Sequence, residues 1–479
     1  MRASDRDNDA TRPTPLMSPP AARRGPIDYA AALGTRPVGQ LLWSSCSQTT
    51  LSVGVYGIYA LTSTWFVAHG VGDTAMAAVN LVAPVLLLLN AVASAVGVGG
   101  GSLVSRSLGA DDTPRAARAA GNAFTLFWLS AIITTVIGLS MLGPLLTMLG
   151  AHGALRGPAR SYAIVLLSGA ITSTGFSTLV RAEGRMRFSA LLWLVPVMAQ
   201  IALDPVLIFG LHWGVRGAAF GIIAGQAISA GMSGWFFFLQ HDRPYRITLA
   251  DLLPHVRTVG SLLGIGAPSF LTGIGATALA VLVNSVLAHA GSVTALAAYA
   301  VCTRIRTFIT TPQLGISQGL QPVVGYSYGR AQPERARRAM TLALRATVLY
   351  GVLVLAFVSL LAGPMVAIFV TDPGIASAAR DALRIIALAF AAYGVTPLVC
   401  AYFQSVGKPK PSYLLSLGTL LAVKIPLVIT LGRAGPNGLW TGLAAGELAS
   451  ALIALIILKL MDPLPPLMPD NEGHVRTLP

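Results

Sequence analysis

The sequence predicts an all-α polytopic membrane protein with twelve transmembrane helices in two parallel six-helix bundles. Three observations lead there. The 479 residues are 54% hydrophobic and only 11% charged, whereas soluble domains carry about 25% charge. Apolar runs of about 20 residues, enough to cross a bilayer, recur along the chain. A short basic loop occurs twice, 220 positions apart, at 106–120 and 326–340.

Twelve candidate spans follow one another between two polar ends. Proline interrupts several of them, and Pro196, Pro205 and Pro426 are predicted kinks or hinges. The spans lie near 38–62, 76–102, 120–143, 161–181, 188–211, 216–239, 260–288, 295–322, 340–362, 378–405, 411–432 and 437–461.

The spans divide the chain into two lobes and two tails. Residues 1–36 are rich in Pro, Arg and Asp and lack an apolar core, which indicates a disordered tail rather than a cleaved signal peptide. The remaining predicted parts are an N-lobe at 37–240, an inter-lobe linker at 241–259, a C-lobe at 260–462 and a second tail at 463–479.

Lys and Arg are concentrated in the tails and in the loops that follow even-numbered spans. The positive-inside rule therefore places both termini and the duplicated loops in the cytoplasm. The same rule accounts for the net charge of +15. No basic stretch is interleaved with exposed aromatic residues, so we expect no nucleic-acid partner.

The duplication extends beyond the basic loops. Residues 205–229 align with 426–450, and eight of these 25 positions are identical, including Pro205 with Pro426. Each unit holds six spans, so both units enter the membrane from the same side. Parallel repeats are related by an axis along the membrane normal. Two facing bundles of this kind suit an alternating-access carrier.

No motif in the chain supports an enzyme. Cys46, Cys302 and Cys400 lie in apolar runs without a CxxC pair, so we interpret them as packing residues. The glycine-rich run at 97–109 lacks the GK[ST] of a phosphate-binding loop. We therefore expect no catalytic residue, no cofactor and no metal, apart from a transported H⁺ or Na⁺.

Five segments share the pattern of one known family. They are LGADDTPRAARAAGNAF at 108–124, the long stretch at 180–221, ITTPQLGISQGLQPVVGYSYG at 309–329, YGRAQPERARRAM at 328–340 and FQSVGKPKPSY at 403–413. They resemble the MATE (multidrug and toxic compound extrusion) family, nearest to its bacterial DinF-like or MepA-like branch. The resemblance covers about residues 40–460, in the order and spacing typical of the family, and it implies the MATE/MOP-type fold of twelve helices in two lobes.

This resemblance implies a function and a location. Family members hold a V-shaped cavity between two lobes and export amphipathic, often cationic, small molecules in exchange for H⁺ or Na⁺. It implies a multi-pass monomer in the bacterial inner membrane, in contact with membrane lipids. The alternative is a flippase for a lipid-linked precursor, as in the wider superfamily. Against it, only Lys424 is a strong candidate to bind a pyrophosphate.

Asp204 in the fifth span is the leading candidate for cation coupling. A carboxylate inside the membrane is costly unless it faces the bundle or water. Pro205 follows it and frees backbone oxygens, which together with a carboxylate can bind Na⁺ or a proton. The alternative is a structural Asp that bonds to Ser or to the backbone.

The resemblance implies two uncharged polar residues that act together with Asp204. The family Asn one turn earlier is Gln200 here, and the family Asp of the first span falls at Ser63. One carboxylate with neutral helpers favours H⁺ over Na⁺, because a hard cation prefers several oxygen ligands. Because water and backbone carbonyls can supply further oxygen ligands, a sodium site is the alternative.

The C-lobe carries a different pair. Lys424 and Glu447 lie at overlapping depths in spans eleven and twelve, so we expect an ion pair. Glu447 would accept a proton, anchor a cationic substrate or form a static pair, and the repeat places it opposite Gln226. Asn284 in the seventh span is a candidate to line the cavity or to bond across helices.

Two further groups of charges are interpreted as structural. Arg304 and Arg306 in the eighth span are expected to pack against a carbonyl or a lipid headgroup. Arg181, Glu183 and Arg185, between spans four and five, are expected to be solvated loop charges. Contact with lipid phosphates or gating of the inner mouth is the alternative.

Overall fold

The structure is a computed structural model that describes residues 29–172, 176–240, 242–289, 293–370 and 372–462. These residues form helices and connecting loops, with no strand among them. The long helices follow from apolar sequence, because a chain inside a bilayer must satisfy its own backbone hydrogen bonds.

Six spans form the N-lobe. The fourth is made of α6 and α7, which are separated after Ser168, and the fifth and sixth continue as π-turns to Gly210 and Leu239. The helices are α1 Tyr29–Thr35, α2 Val38–Val71, α3 Asp73–Gly109, α4 Thr113–Ser140, α5 Leu142–Met148, α6 Arg156–Ser168, α7 Phe176–Ala182, α8 Met186–Pro205 and α9 Val215–Gly234.

Six further spans form the C-lobe. The tenth bends by 49° between its two main helices, and the eleventh contains two π-turns, the second ending at Lys424. The helices are α10 Leu249–Leu252, α11 Val256–His289, α12 Val293–Gly329, α13 Pro333–Ala367, α14 Pro373–Ala387, α15 Phe390–Tyr393, α16 Val395–Ser405, α17 Lys410–Tyr413, α18 Ile425–Gly432 and α19 Pro436–Leu460.

The observed helices reproduce the twelve predicted spans, and several run further than predicted. Nine helices in the described part of the chain are long and apolar enough to cross a membrane, and the bent span makes ten. The other two are the long helices α2 and α12. They pack against each other, so their polar residues face a neighbouring helix and not only lipid.

The N-terminal tail is the first difference from the prediction. Disorder was expected up to residue 36, but Tyr29–Thr35 forms the helix α1. The Arg335 guanidinium donates to the carbonyls of Leu33 and Arg36, and Arg185 lies over the Tyr29 ring at 4.7 Å. The helix is thus stabilised by residues distant in sequence. Residues 1–28 and 463–479 lie outside the described residues.

The predicted linker and the loop between spans four and five form one buried cluster. Glu183 pairs with Arg243 at 2.5 Å, and both side chains are 1% exposed. The Tyr245 hydroxyl donates to the same carboxylate; burial and this neighbouring charge raise the pKa of Tyr245 well above its usual range. The expectation of a solvated Glu183 is therefore wrong. Arg181 is also buried, and it donates to the Thr178 hydroxyl.

The duplicated basic loops meet each other across the two lobes. As predicted, α3 ends at Gly109 and α12 ends at Gly329. A Cβ on Gly109 would lie 2.1 Å from the Tyr326 carbonyl oxygen, and a Cβ on Gly329 would lie 2.1 Å from that of Arg106. Each glycine therefore permits the backbone of the other lobe to approach.

The residues of these loops with a left-handed backbone conformation are not Gly109 and Gly329. Asp111 and Ala331, each with φ of 56°, occupy that conformation instead. Both loops thus turn at equivalent positions, two residues after Gly109 and Gly329. The duplication is visible in backbone conformation as well as in sequence.

The lobes join at the end of the molecule that carries the Arg-rich loops, which we call the basic end (residues 110–112, 183–185, 242–255, 330–332 and 406–409). Here buried apolar side chains form one continuous core across both lobes. Towards the opposite end they separate into two cores, one within each lobe. The lobes are therefore closed together at the basic end and apart at the other.

Candidate functional site

Asp204 lies at the end of α8, inside the N-lobe, and is fully buried. Neither of its carboxylate oxygens has a hydrogen-bond partner among the described residues. The Ser63 hydroxyl of α2 lies beside the carboxylate, although the two do not meet the geometry of a regular hydrogen bond. The structure thus brings Ser63 and Asp204 together, as the resemblance implies.

Two glycines on α9 make room for the polar residues of α8. A Cβ on Gly221 would lie 2.0 Å from Oδ1 of Asp204, and a Cβ on Gly225 would lie 2.1 Å from Nε2 of Gln200. The Gln200 amide donates to the Ile222 carbonyl at 3.4 Å. Sequence reasoning found Asp204 and Gln200 but missed these glycines, although their spacing of four residues indicated a single helix face.

In each lobe, the proline that the repeat aligns lies beside a π-turn, before it in the N-lobe and after it in the C-lobe. Pro205 ends α8, and a π-turn follows immediately at Val206–Gly210. Pro426 lies in the first turn of α18, directly after the π-turn that ends at Lys424. Both prolines thus adjoin a π-turn, a geometry often found at functional sites. At Pro196 the helix α8 continues without a break.

The C-lobe pair has the predicted geometry. Nζ of Lys424 lies 2.7 Å from Oε1 of Glu447, and their side chains are 19% and 17% exposed. Lys424 comes from the end of a π-turn and Glu447 from the middle of α19. Pairing lowers the cost of holding either charge in the membrane.

Arg306 belongs to the same pocket, and sequence reasoning missed its place there. The pocket is also lined by Phe390 and Tyr393 of the bent tenth span. The Arg306 guanidinium lies near Tyr393 and Tyr299 and interacts electrostatically with Glu447. The sequence contained a usable signal, because Arg304 and Arg306 are two residues apart and therefore lie on different helix faces.

The bend of the tenth span shapes this pocket. Between α14 and α16 the helix is interrupted, and the Phe390 carbonyl accepts a hydrogen bond from the Gln313 amide at 3.1 Å. A broken helix with its carbonyls satisfied by a neighbour is tolerated inside the membrane. The interruption places Tyr393 beside the charged residues.

The structure does not bring the remaining candidates to either site. Asn284 is exposed on α11 and does not line the pocket of Lys424 and Glu447. Gln226 is half-buried on α9, in the N-lobe position that the repeat equates with Glu447. No hydrogen bond between helices is described for either residue, so their roles stay predictions.

The MatE family profile matches residues 49–206 and 268–430, one segment in each lobe. The chain belongs to the MatE family. Its membership explains why the two matched segments have the same helix order and meet through equivalent loops. This MatE protein is therefore a multi-pass membrane transporter and not an enzyme.

Similar proteins agree with this assignment. The MatE protein is 23% identical over 399 residues to an FAD transporter of Shewanella oneidensis, covering 82% of this chain and 87% of the relative. It is 27% identical over 415 residues to the multidrug export protein MepA of Staphylococcus haemolyticus, covering 84% and 88%.

A solved structure shows the same fold. It is the outward-facing conformation of a multidrug resistance MATE family transporter of the MOP superfamily. The TM-score is 0.85 at 24% sequence identity, over 90% of this chain and 97% of that chain. The two-lobed arrangement of twelve helices is thus common to both proteins.

Proposed function

We propose that this MatE protein is a secondary antiporter that exports amphipathic small molecules by alternating access and exchanges them for protons at Asp204. The observation that carries the proposal is the buried Asp204 carboxylate, which has no hydrogen-bond partner among the described residues. A buried carboxylate of this kind is costly unless a proton or a cation neutralises it. A site that must be neutralised can couple ion binding to a change of conformation.

The surroundings of Asp204 support a proton rather than Na⁺. Its described polar neighbours are the Ser63 hydroxyl and, one turn away on α8, the Gln200 amide. Na⁺ is a hard cation that prefers several oxygen ligands. A single carboxylate with one nearby hydroxyl is sufficient for a proton.

The arrangement of the lobes supports alternating access. The lobes are joined at the basic end and separate towards the other end. The positive-inside rule places the basic end in the cytoplasm, so this arrangement is open to the outside. In our proposal, protonation of Asp204 favours one arrangement of the lobes and substrate binding favours the other.

The relatives support a small-molecule cargo. The relatives are named a multidrug export protein and an FAD transporter, and these names do not establish the charge of the cargo of this chain. The family resemblance alone implies a cationic amphipathic compound, so the proposed function is limited to an amphipathic small molecule. We do not favour a lipid-linked precursor, because one of the two pocket cations is already paired with Glu447.

The test is export from everted membrane vesicles, with a pH gradient and a Na⁺ gradient imposed separately, over a panel of amphipathic dyes. We expect Asp204→Asn to keep its thermal unfolding midpoint and to lose export driven by the pH gradient. Asp381→Asn is the matched control, because Asp381 is an exposed acid on α14.

Two outcomes would contradict parts of this proposal. Normal pH-driven export by Asp204→Asn would remove Asp204 from the mechanism. Export driven by the Na⁺ gradient alone would leave an antiporter but replace the proton as coupling ion.

A further inference from the structure

We propose that the C-lobe pocket binds an acidic group, a carboxylate or a phosphate, of the exported molecule, and that Arg306 is the residue that binds it. The inference rests on the proposed function for the export step and adds a substrate class to it. The exported molecule would then be an amphipathic acid or a zwitterion rather than a simple cation.

The balance of charge in the pocket is the first argument. The pocket contains Arg306, Lys424 and Glu447. Lys424 holds Glu447 at 2.7 Å, and among the described residues no carboxylate lies within ion-pair distance of Arg306. The pocket therefore has one cation more than it has anions.

The depth of Arg306 makes this surplus significant. Arg306 is 13 residues from Val293, the start of α12, which corresponds to a rise of roughly 20 Å. An arginine at this depth is costly unless it meets an anion, a carbonyl or water. An acidic group on the transported molecule would supply the missing negative charge.

The hydrogen bonding of Arg306 is suited to such a group. Tyr299 is a polar neighbour of the guanidinium, and the Tyr299 ring is stacked on Trp440 with centroids 5.8 Å apart. A guanidinium has five N–H donors in a planar fork. One tyrosine cannot use them all, so donors remain to bind carboxylate or phosphate oxygens in pairs.

The rest of the lining indicates an organic molecule rather than an inorganic ion. Apolar and aromatic side chains surround the charges, among them Leu279, Phe390, Tyr393, Val428 and Leu443. The cavity measures about 20 Å³, which is room for one or two water-sized groups. It therefore fits the oxygen atoms of an acidic group, while the bulk of the molecule would lie outside this pocket.

The test compares a xanthene dye that bears a free carboxyl group with the ethyl ester of the same dye. Dissociation constants are measured by fluorescence on the full-length protein in detergent, and export is measured in vesicles. The dye carrying a phosphate monoester in place of the carboxyl group forms a third arm. That arm distinguishes a carboxylate from a phosphate as the preferred group.

The matched variants are Arg306→Gln and Arg304→Gln. Arg304 is exposed and lies two residues away on α12, so its loss changes the same charge outside the pocket. We expect Arg306→Gln to weaken binding of the acid about tenfold or more, the usual result of losing charged hydrogen bonds. Binding of the ester should change less than about twofold, and Arg304→Gln should affect neither.

The outcomes separate this inference from the proposed function. Equal weakening of acid and ester in Arg306→Gln, or a wild type that binds the acid no more tightly than the ester, would overturn it. Tighter binding of the acid without any export would uphold the pocket and contradict the antiporter. If Arg306→Gln does not fold, Arg306→Lys keeps the charge, loses the fork and should still weaken acid binding.

Discussion

The N-lobe and the C-lobe repeat one helix plan but hold different charges in corresponding helix pairs. Between α8 and α9 the N-lobe buries the carboxylate of Asp204, which has no hydrogen-bond partner among the described residues. Between α18 and α19 the C-lobe holds Lys424 paired with Glu447, and Arg306 of α12 lies beside them. Duplication has kept the backbone plan, while a few side chains have given each lobe its own chemistry.

The shared glycines show how one plan accommodates two sites. Gly225 and Gly446 are equivalent in the repeat. A Cβ on Gly225 would lie 2.1 Å from Gln200, whereas a Cβ on Gly446 would have 3.4 Å to Lys424. The same small residue is thus required in the N-lobe and merely compatible with the C-lobe site.

The largest difference between the lobes should appear when each loses its acid. We expect Asp204→Asn to reduce pH-driven export more than about hundredfold, and Glu447→Gln to reduce it less than about tenfold. The reason is that, among the described residues, Asp204 is buried without a partner whereas Glu447 is paired with Lys424. Initial export rates in vesicles matched for protein amount measure both. Comparable losses of export in the two variants would mean that the acids of both lobes take part in coupling. This result would contradict the predicted difference between the lobes.

A smaller difference should follow from adding one methyl group to each lobe. Gly225→Ala displaces the Gln200 side chain and should lower the free energy of unfolding by about 1–3 kcal/mol. Its equivalent Gly446→Ala meets only ordinary contact and should be neutral or stabilise by up to about 1 kcal/mol. Thermal unfolding in detergent reports both changes. Gly231→Ala on α9, which meets nothing within 4 Å, is the control.

The smallest difference is expected where the lobes are most alike. Gly109→Ala and Gly329→Ala each place a methyl group against a backbone oxygen of the other lobe. Both should separate the lobes at the basic end to a similar extent, because overpacking at a backbone contact cannot be relieved by a rotamer change. Distances between spin labels on the two basic loops measure the separation. A strongly unequal response would show that the basic end is not symmetric.

Much of the architecture followed from local sequence. Long apolar runs predicted the spans because twenty apolar residues leave few alternatives to a membrane helix. The duplicated loop led to the two lobes, and the scarcity of acids inside the spans singled out Asp204 and Glu447. The pair of Lys424 with Glu447 could be expected because unpaired charges are costly in a membrane.

Other features were hidden from local reasoning. The helix α1 lies in a segment whose composition is typical of disorder, and its stability comes from Arg335, about 300 residues away. In the sequence, Glu183 is typical of a solvated loop charge. In the structure, it is buried in an ion pair with Arg243 of the linker. Arg306 resembles a packing residue until the bent tenth span brings Tyr393 next to it.

By itself, the sequence determined the helices, the duplication, the family and the few charges available for transport. Only the tertiary structure decided which of those charges are buried, which are paired and which have donors to spare. The reason is physical: hydropathy acts over neighbouring residues, whereas the cost of a buried charge depends on partners from distant helices. Asp204 and Arg306 illustrate this dependence. Among the described residues, the Asp204 carboxylate has no hydrogen-bond donor and the Arg306 guanidinium has no carboxylate within ion-pair distance.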